Sequence, residues 1–197
     1  MIYTKGVYLR PNNPRTQQRD SIVLEALSFF IICSAPYLLH SDMVFATDYK
    51  ERDQVVEKEV VELVNHAREK GAQCGNRYFK ATKPVVWNDT LKRASLSHSS
   101  DMAENGFLHH IGSDRKDPGD RILALGYAWS AYGENVAEGY HSPEEVVKGW
   151  LKSRDHCENI MNPSFREAGS AGVQGPRGIY WTLLLAVRGR AAASAPE

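Results

Sequence analysis

Residues 142–187 read SPEEVVKGWLKSRDHCENIMNPSFREAGSAGVQGPRGIYWTLLLAV, and a change of period inside them sets the fold class. The stretch opens as a helix. Ser142 is followed by Pro143 at the first helical position and by Glu144-Glu145, the pattern of a capping box. Val146, Val147, Trp150 and Leu151 then fall on one apolar side. Further on the pattern turns β-like. Residues 169–175 and 178–187 read as two strands joined by Pro176-Arg177, which makes a hairpin.

Upstream the pattern is helical. Residues 48–70 carry Val56, Val60, Leu63, Val64 and Ala67 on one face, and Gly71 is placed to stop that helix. A loop with Cys74 and Gly75 follows, then an extended Lys83-Pro84-Val85-Val86-Trp87. Asn88 caps a second helix, with Leu91, Ala94, His98 and Met102 along one stripe and Gly106 at its end. Asp117-Pro118 opens a short helix through Leu125, closed by Gly126. Helices first and a hairpin last predict an α+β domain, not alternating βαβ units.

The N-terminal 46 residues read as a leader. Lys5, Arg10, Arg15 and Arg19 precede a mostly apolar run over residues 22–39, interrupted by Glu25 and Pro36. Val44-Phe45-Ala46 matches a signal-peptidase site, which predicts export and cleavage after Ala46. The competing readings are a signal whose start codon is assigned too far upstream, and an uncleaved anchor, weakened because the run is broken and marginal in length for a span. Removal of the leader leaves about 150 residues, enough for an independent core. The domain is expected over residues 47–190, with a frayed Ala-rich tail at 191–197. Of the three cysteines, Cys33 falls in the leader. Cys74 and Cys157 would reach an oxidising compartment, where a lone pair tends to bridge. Closing a loop of roughly 80 residues is worth about 4 kcal/mol on the chain-entropy model. Two free thiols, or Cys157 as a nucleophile beside His156, are the alternatives.

Several polar residues are candidates for a site. His110 lies between an apolar lead and a Gly/Ser/Asp loop, and suits either a metal ligand or a general base. A loop histidine bonded to backbone is the plainer alternative. His156 follows a helix beside Cys157 and carries the same two readings. Glu134, in Gly133-Glu134-Asn135, is either a buried carboxylate with a partner or an exposed turn residue. His98 reads as a satisfied core histidine, and Arg121 as a loop-shaping residue paired with a carboxylate or backbone carbonyls. Trp87, Trp150 and Trp181 read as core. The formal net charge of zero gives no bulk attraction to nucleic acid or an anionic surface. No Gly-x-Ser-x-Gly elbow, phosphate loop or His-Glu-x-x-His motif is present.

Taken in order, LVNHAREKGAQCG, VVWNDTLKRAS, HIGSDRKDPGDRI, GYAWSAYGENVAEG, GWLKSRDHCENIMNP and IYWT resemble the CAP superfamily. This superfamily comprises cysteine-rich secretory proteins, antigen-5-like allergens and pathogenesis-related proteins. The bacterial branch, SCP-like extracellular proteins, is the nearest in pattern. The resemblance covers about residues 55–187. It implies a three-layer α-β-α sandwich around a small antiparallel sheet, and a cleft lined by two histidines and, in animal and plant members, two acids. His110 matches the first cleft histidine, Glu134 the glutamate of the GEN motif, and His156 the second histidine. Ser153 stands where animal and plant relatives carry the second acid, so the fourth member of the set is absent, as in many bacterial relatives. Cys74 and Cys157 match a bonded pair.

The resemblance implies no general reaction. The leading expectation is an exported, non-catalytic domain, secreted or periplasmic, that binds a lipid, a cell-envelope component or a protein partner. His110 and His156 would hold a divalent metal such as zinc, with Glu134 orienting an imidazole. The rivals are a metal-assisted hydrolase or peptidase in the same cleft, and a structural module without cleft chemistry. No nucleic-acid partner and no membrane span in the mature domain are expected.

Overall fold

The computed structural model describes residues 2–9 and 57–189. Strand β1 (Ile2–Leu9) comes first, and helix α1 covers residues 57–70. A short hairpin, β2 (Ala72–Cys74) and β3 (Arg77–Phe79), follows where the sequence suggests a loop. β4 (Val86–Trp87) then leads into α2 (Asp89–Asn105). The Asn88 side chain accepts from the amides of Thr90 and Leu91, and Gly106 closes α2 at φ 64, a left-handed position suited to glycine. Helix α3 (Pro118–Ala124) starts at a reciprocal capping box between Asp117 and Asp120.

Strand β5 (Trp129–Glu138) is absent from the sequence reading. It is buried along most of its length, so it lacks the apolar–polar alternation of a half-exposed strand. Helices α4 (Pro143–Lys152) and α5 (Arg154–Met161) follow, then the predicted hairpin, β6 (Glu167–Gly175) and β7 (Gly178–Arg188). At the start of α4, Ser142 accepts from the Glu145 amide as expected. The Glu145 carboxylate, however, accepts from the amide of His141 at 2.9 Å, one residue before the cap. His156 lies inside α5, not beyond the end of a helix.

The main sheet has the order β1-β5-β7-β6-β4. Its pairings are antiparallel except for β4 with β6, which is parallel. Side chains of β7 alternate between two layers. Trp181, Leu183 and Leu185 pack with Val60 and Val64 of α1, Val146 and Trp150 of α4, and Ile160 of α5. Leu184 and Ala186 pack with Leu91, Ala94, Ile122 and Tyr127 on the α2–α3 side. The result is the three-layer α-β-α sandwich. Contact between α2 and β6 is close: a side chain at Gly169 would run into the backbone at Leu91 and Lys92.

The strand Ile2–Leu9, inside the expected leader, pairs with the outer edge of β5, with Ile2 opposite Ala137 and Leu9 opposite Ala131. The remainder of that leader, its apolar run, the cleavage site and the tail lie outside the described residues, as does the start of the first predicted helix. Among the described residues no helix is long and apolar enough to cross a membrane.

Candidate functional site

Glu134 is the hub of a buried polar cluster. Strand β5 carries it into the α2–α3 layer, where it is 2% exposed. Its Oε1 accepts from His110 Nδ1 at 2.8 Å and its Oε2 accepts from Arg121 Nη2 at 2.7 Å. Arg121, on α3, also donates to the carbonyls of His110 and Lys116, at 3.0 Å each. Helix α2 brings His98 to 3.8 Å from Glu134, and its Nε2 lies 2.8 Å from the His109 carbonyl. Burial alone pushes the Glu134 carboxyl up, but Arg121, His98 and His110 outweigh it and bring it down to about 2. Burial pushes His98 down, against the pull of Glu134, which favours the neutral ring and an Nε2–H donated to the carbonyl. His109 serves the backbone, its Nδ1 accepting from the amide of Ile111 at 3.0 Å.

The neighbouring residue, Asn135, projects to the opposite face. Its Nδ2 donates to the His156 carbonyl at 3.1 Å, and its Oδ1 accepts from Asn159 at 3.0 Å. Asn159 also reaches the Glu134 carbonyl. His156 is buried, and its Nδ1 lies 2.8 Å from Ser153 Oγ. The structure therefore joins His110 with Glu134, and His156 with Ser153, and links the two pairs through β5. Asn135 and Asn159 are site-building residues that sequence reasoning missed; the signal available was Asn135 beside the motif glutamate.

The first turn of α5 is held from below by a disulfide between Cys74 and Cys157, across a separation of 83 residues. A second tether escaped the sequence reading altogether. Arg68 of α1 is wholly buried and donates to the carbonyls of Lys83, Ile160, Asn162 and Phe165. Burial lowers its guanidinium to about 10, which leaves it charged at neutral pH.

The metal expectation meets a short ligand list. Nδ1 of His110 is engaged by Glu134 and Nδ1 of His156 by Ser153. Zinc sites use three or four protein ligands. Among the described residues no group of three or more His, Cys, Asp and Glu is gathered to hold an ion. Among the described residues, these two imidazoles alone fall short of the ligand number of a resident zinc site.

A separate groove of about 510 Å³ runs between α1 and α4. Leu63, Ala67, Val147 and Leu151 give it an apolar floor, and Lys70, Lys148 and Lys152 stand along it with Glu144 and His66. The lysines are exposed, while Val147 is buried.

Comparison with known proteins agrees with this fold. The YkwD protein of Bacillus subtilis is 35% identical over 126 residues, covering 64% of this chain and 45% of that protein. The chain thus spans less than half the length of that relative. An extracellular protein containing an SCP domain from Bacillus anthracis superposes with a TM-score of 0.60 at 22% identity, over 79% of this chain and 45% of the other. An outer surface protein of Borrelia burgdorferi gives a TM-score of 0.55 at 20% identity, over 71% of this chain and 95% of the other. Residues 61–185, which carry both histidine pairs and the disulfide, match the model of the cysteine-rich secretory protein (CAP) family, and the chain belongs to that family.

Proposed function

We propose that this CAP domain is exported and binds an anionic amphiphile, a fatty acid or acyl lipid of the cell envelope, in the groove between α1 and α4. The observation that carries this reading is an apolar floor flanked by three exposed lysines. An acyl chain would lie on Leu63, Ala67, Val147 and Leu151, and its carboxylate or phosphate would meet an ammonium group. Burying about ten methylenes gains roughly 8 kcal/mol before ordering costs. That places affinity on the order of micromolar or weaker. The buried Glu134 cluster serves a different purpose in this reading. Both carboxylate oxygens are engaged by neighbours, so the cluster holds the loop at residues 110–117 and α3 against β5. Support for export comes from the leader pattern over residues 1–46 and from structural relatives described as extracellular and outer-surface proteins.

Displacement of a fluorescent long-chain fatty acid tests the proposal. Ala67→Trp, which fills the floor, should weaken binding at least tenfold with the melting temperature kept. Lys148→Glu should weaken a fatty acid more than its methyl ester. Unchanged affinity in both variants would remove the groove from consideration.

A further inference from the structure

Ser153 occupies the N-cap of α5, where a serine hydroxyl ordinarily accepts from an amide of the first turn. Here its side chain makes no cap bond, and Oγ lies 2.8 Å from His156 Nδ1. We propose that Ser153 and His156 form a nucleophile–base pair that hydrolyses the ester of an acyl lipid. The choice of substrate rests on the groove reading above, and the pair itself does not.

Four observations support the assignment. The distance is that of a nucleophile and its general base. Ser153 is partly exposed while His156 is buried, the order of exposure that a nucleophile and a shielded base require. The base is fixed in place: Asn135 holds the His156 carbonyl, and the next residue, Cys157, is bonded to Cys74. Lastly, Leu151 and Lys152, which line the groove, directly precede Ser153 in the chain.

The reaction balances with water as the only co-reactant. Ser153 Oγ attacks the ester carbonyl carbon, and its proton passes to His156 Nδ1. The carbonyl oxygen gains negative charge, which the first-turn amides of Arg154 and Asp155, not bonded by the Ser153 side chain, can stabilise. Collapse breaks the ester C–O bond, and the imidazolium returns the proton to the departing alcohol. Water, deprotonated by His156, then attacks the acyl-serine; the carboxylic acid leaves and Ser153 is restored.

The experiment uses a fluorophosphonate probe and p-nitrophenyl esters of two and twelve carbons on the purified chain. The expected result is a covalent adduct mapped to Ser153, absent from Ser153→Ala, with an unaltered melt. Esterase turnover should fall about 100-fold or more in that variant, the scale of general-base assistance. Because His156→Gln alters a fully buried side chain, Ser153→Cys supplies a second measurement. Its thiol should alkylate with a pH midpoint well below that of an ordinary cysteine, through the adjacent imidazole. No adduct at Ser153, equal turnover in Ser153→Ala, or an ordinary thiol midpoint in Ser153→Cys would each overturn the pair. An adduct accompanied by no preference for the long ester, and no effect of Ala67→Trp on turnover, would overturn the substrate class alone. Fatty-acid binding without any adduct would overturn the pair and leave the groove intact.

Discussion

Replacing Arg121 by leucine should be one of the most damaging single changes in the domain. Arg121 meets Glu134 at 2.7 Å and the carbonyls of His110 and Lys116 at 3.0 Å each. Without it, a carboxylate only 2% exposed keeps imidazole neighbours but loses its permanent cation. Breaking a buried pair by removing one partner costs about 3–5 kcal/mol. In a domain of this size that lowers Tm on the order of 10 °C. The pH dependence supplies an independent readout. The folded carboxyl, near 2, titrates below its ordinary 4.5. Its contribution is therefore present above about 4.5 and is lost as pH falls toward about 2. In Arg121→Leu, burial works against fewer opposing charges, so the folded carboxyl titrates higher and protonation relieves the defect. The stability gap between wild type and variant should narrow on acidification. Urea melts from pH 7 to pH 3 measure this. The double variant Arg121→Leu/Glu134→Leu should be more stable than the single one, since it removes the stranded charge. A gap under about 1 kcal/mol at pH 7, which would be surface-like behaviour, or one that widens in acid, would refute the account.

Other consequences are simpler to check. Cys74→Ser/Cys157→Ser should lose about 2–5 kcal/mol; a melt unaffected by reductant in the wild type would show the bridge to be idle. Arg68→Met strands four carbonyls at the junction of α1, α5 and β6, and should lower stability by at least as much as one buried unsatisfied group, about 1–3 kcal/mol, by chemical denaturation. Calorimetry should find no stoichiometric zinc site that depends on His110 and His156; a tight site abolished in the double alanine variant would restore the metal reading. N-terminal sequencing of exported protein should begin at Thr47. Such a chain lacks β1, so the outward amides of β5 should exchange quickly; a mature chain that retains Ile2 would contradict the leader.

Which features were legible in the sequence follows from the range of the interactions that make them. Asn88, Gly106, Asp117-Pro118 and Ser142-Pro143 act on their own first or last turns, so each marked its helix. The β6–β7 hairpin announced itself by turn chemistry and apolar runs. By contrast, β5 pairs with β7, over 40 residues away, and Gly133-Glu134-Asn135 interrupts its apolar character. Helix α5 was hidden because RDHCENIM looks polar until His156, Cys157 and Asn159 find partners in β5 and β2. Arg68 reads as surface charge beside Ala67, and only the fold shows four carbonyls converging on it.

The site divides in the same way. Resemblance located His110, Glu134, His156 and Ser153, but adjacent residues on a strand face opposite ways. Glu134 therefore commits His110 and Arg121 to one layer, while Asn135 ties His156 to the other. A list of four cleft positions conceals that split. One pair is a charged, buried tie with no spare carboxylate oxygen among its bonds. The other joins a hydroxyl to an imidazole, on a partly exposed serine that directly follows the groove-lining Leu151 and Lys152 in the chain. Substitutions at the two pairs should therefore separate: those at Glu134 and Arg121 in melting temperature, and those at Ser153 in reactivity at constant melting temperature. A variant of Ser153 that lost stability as Arg121→Leu does would mean the hydroxyl, too, is only a tie.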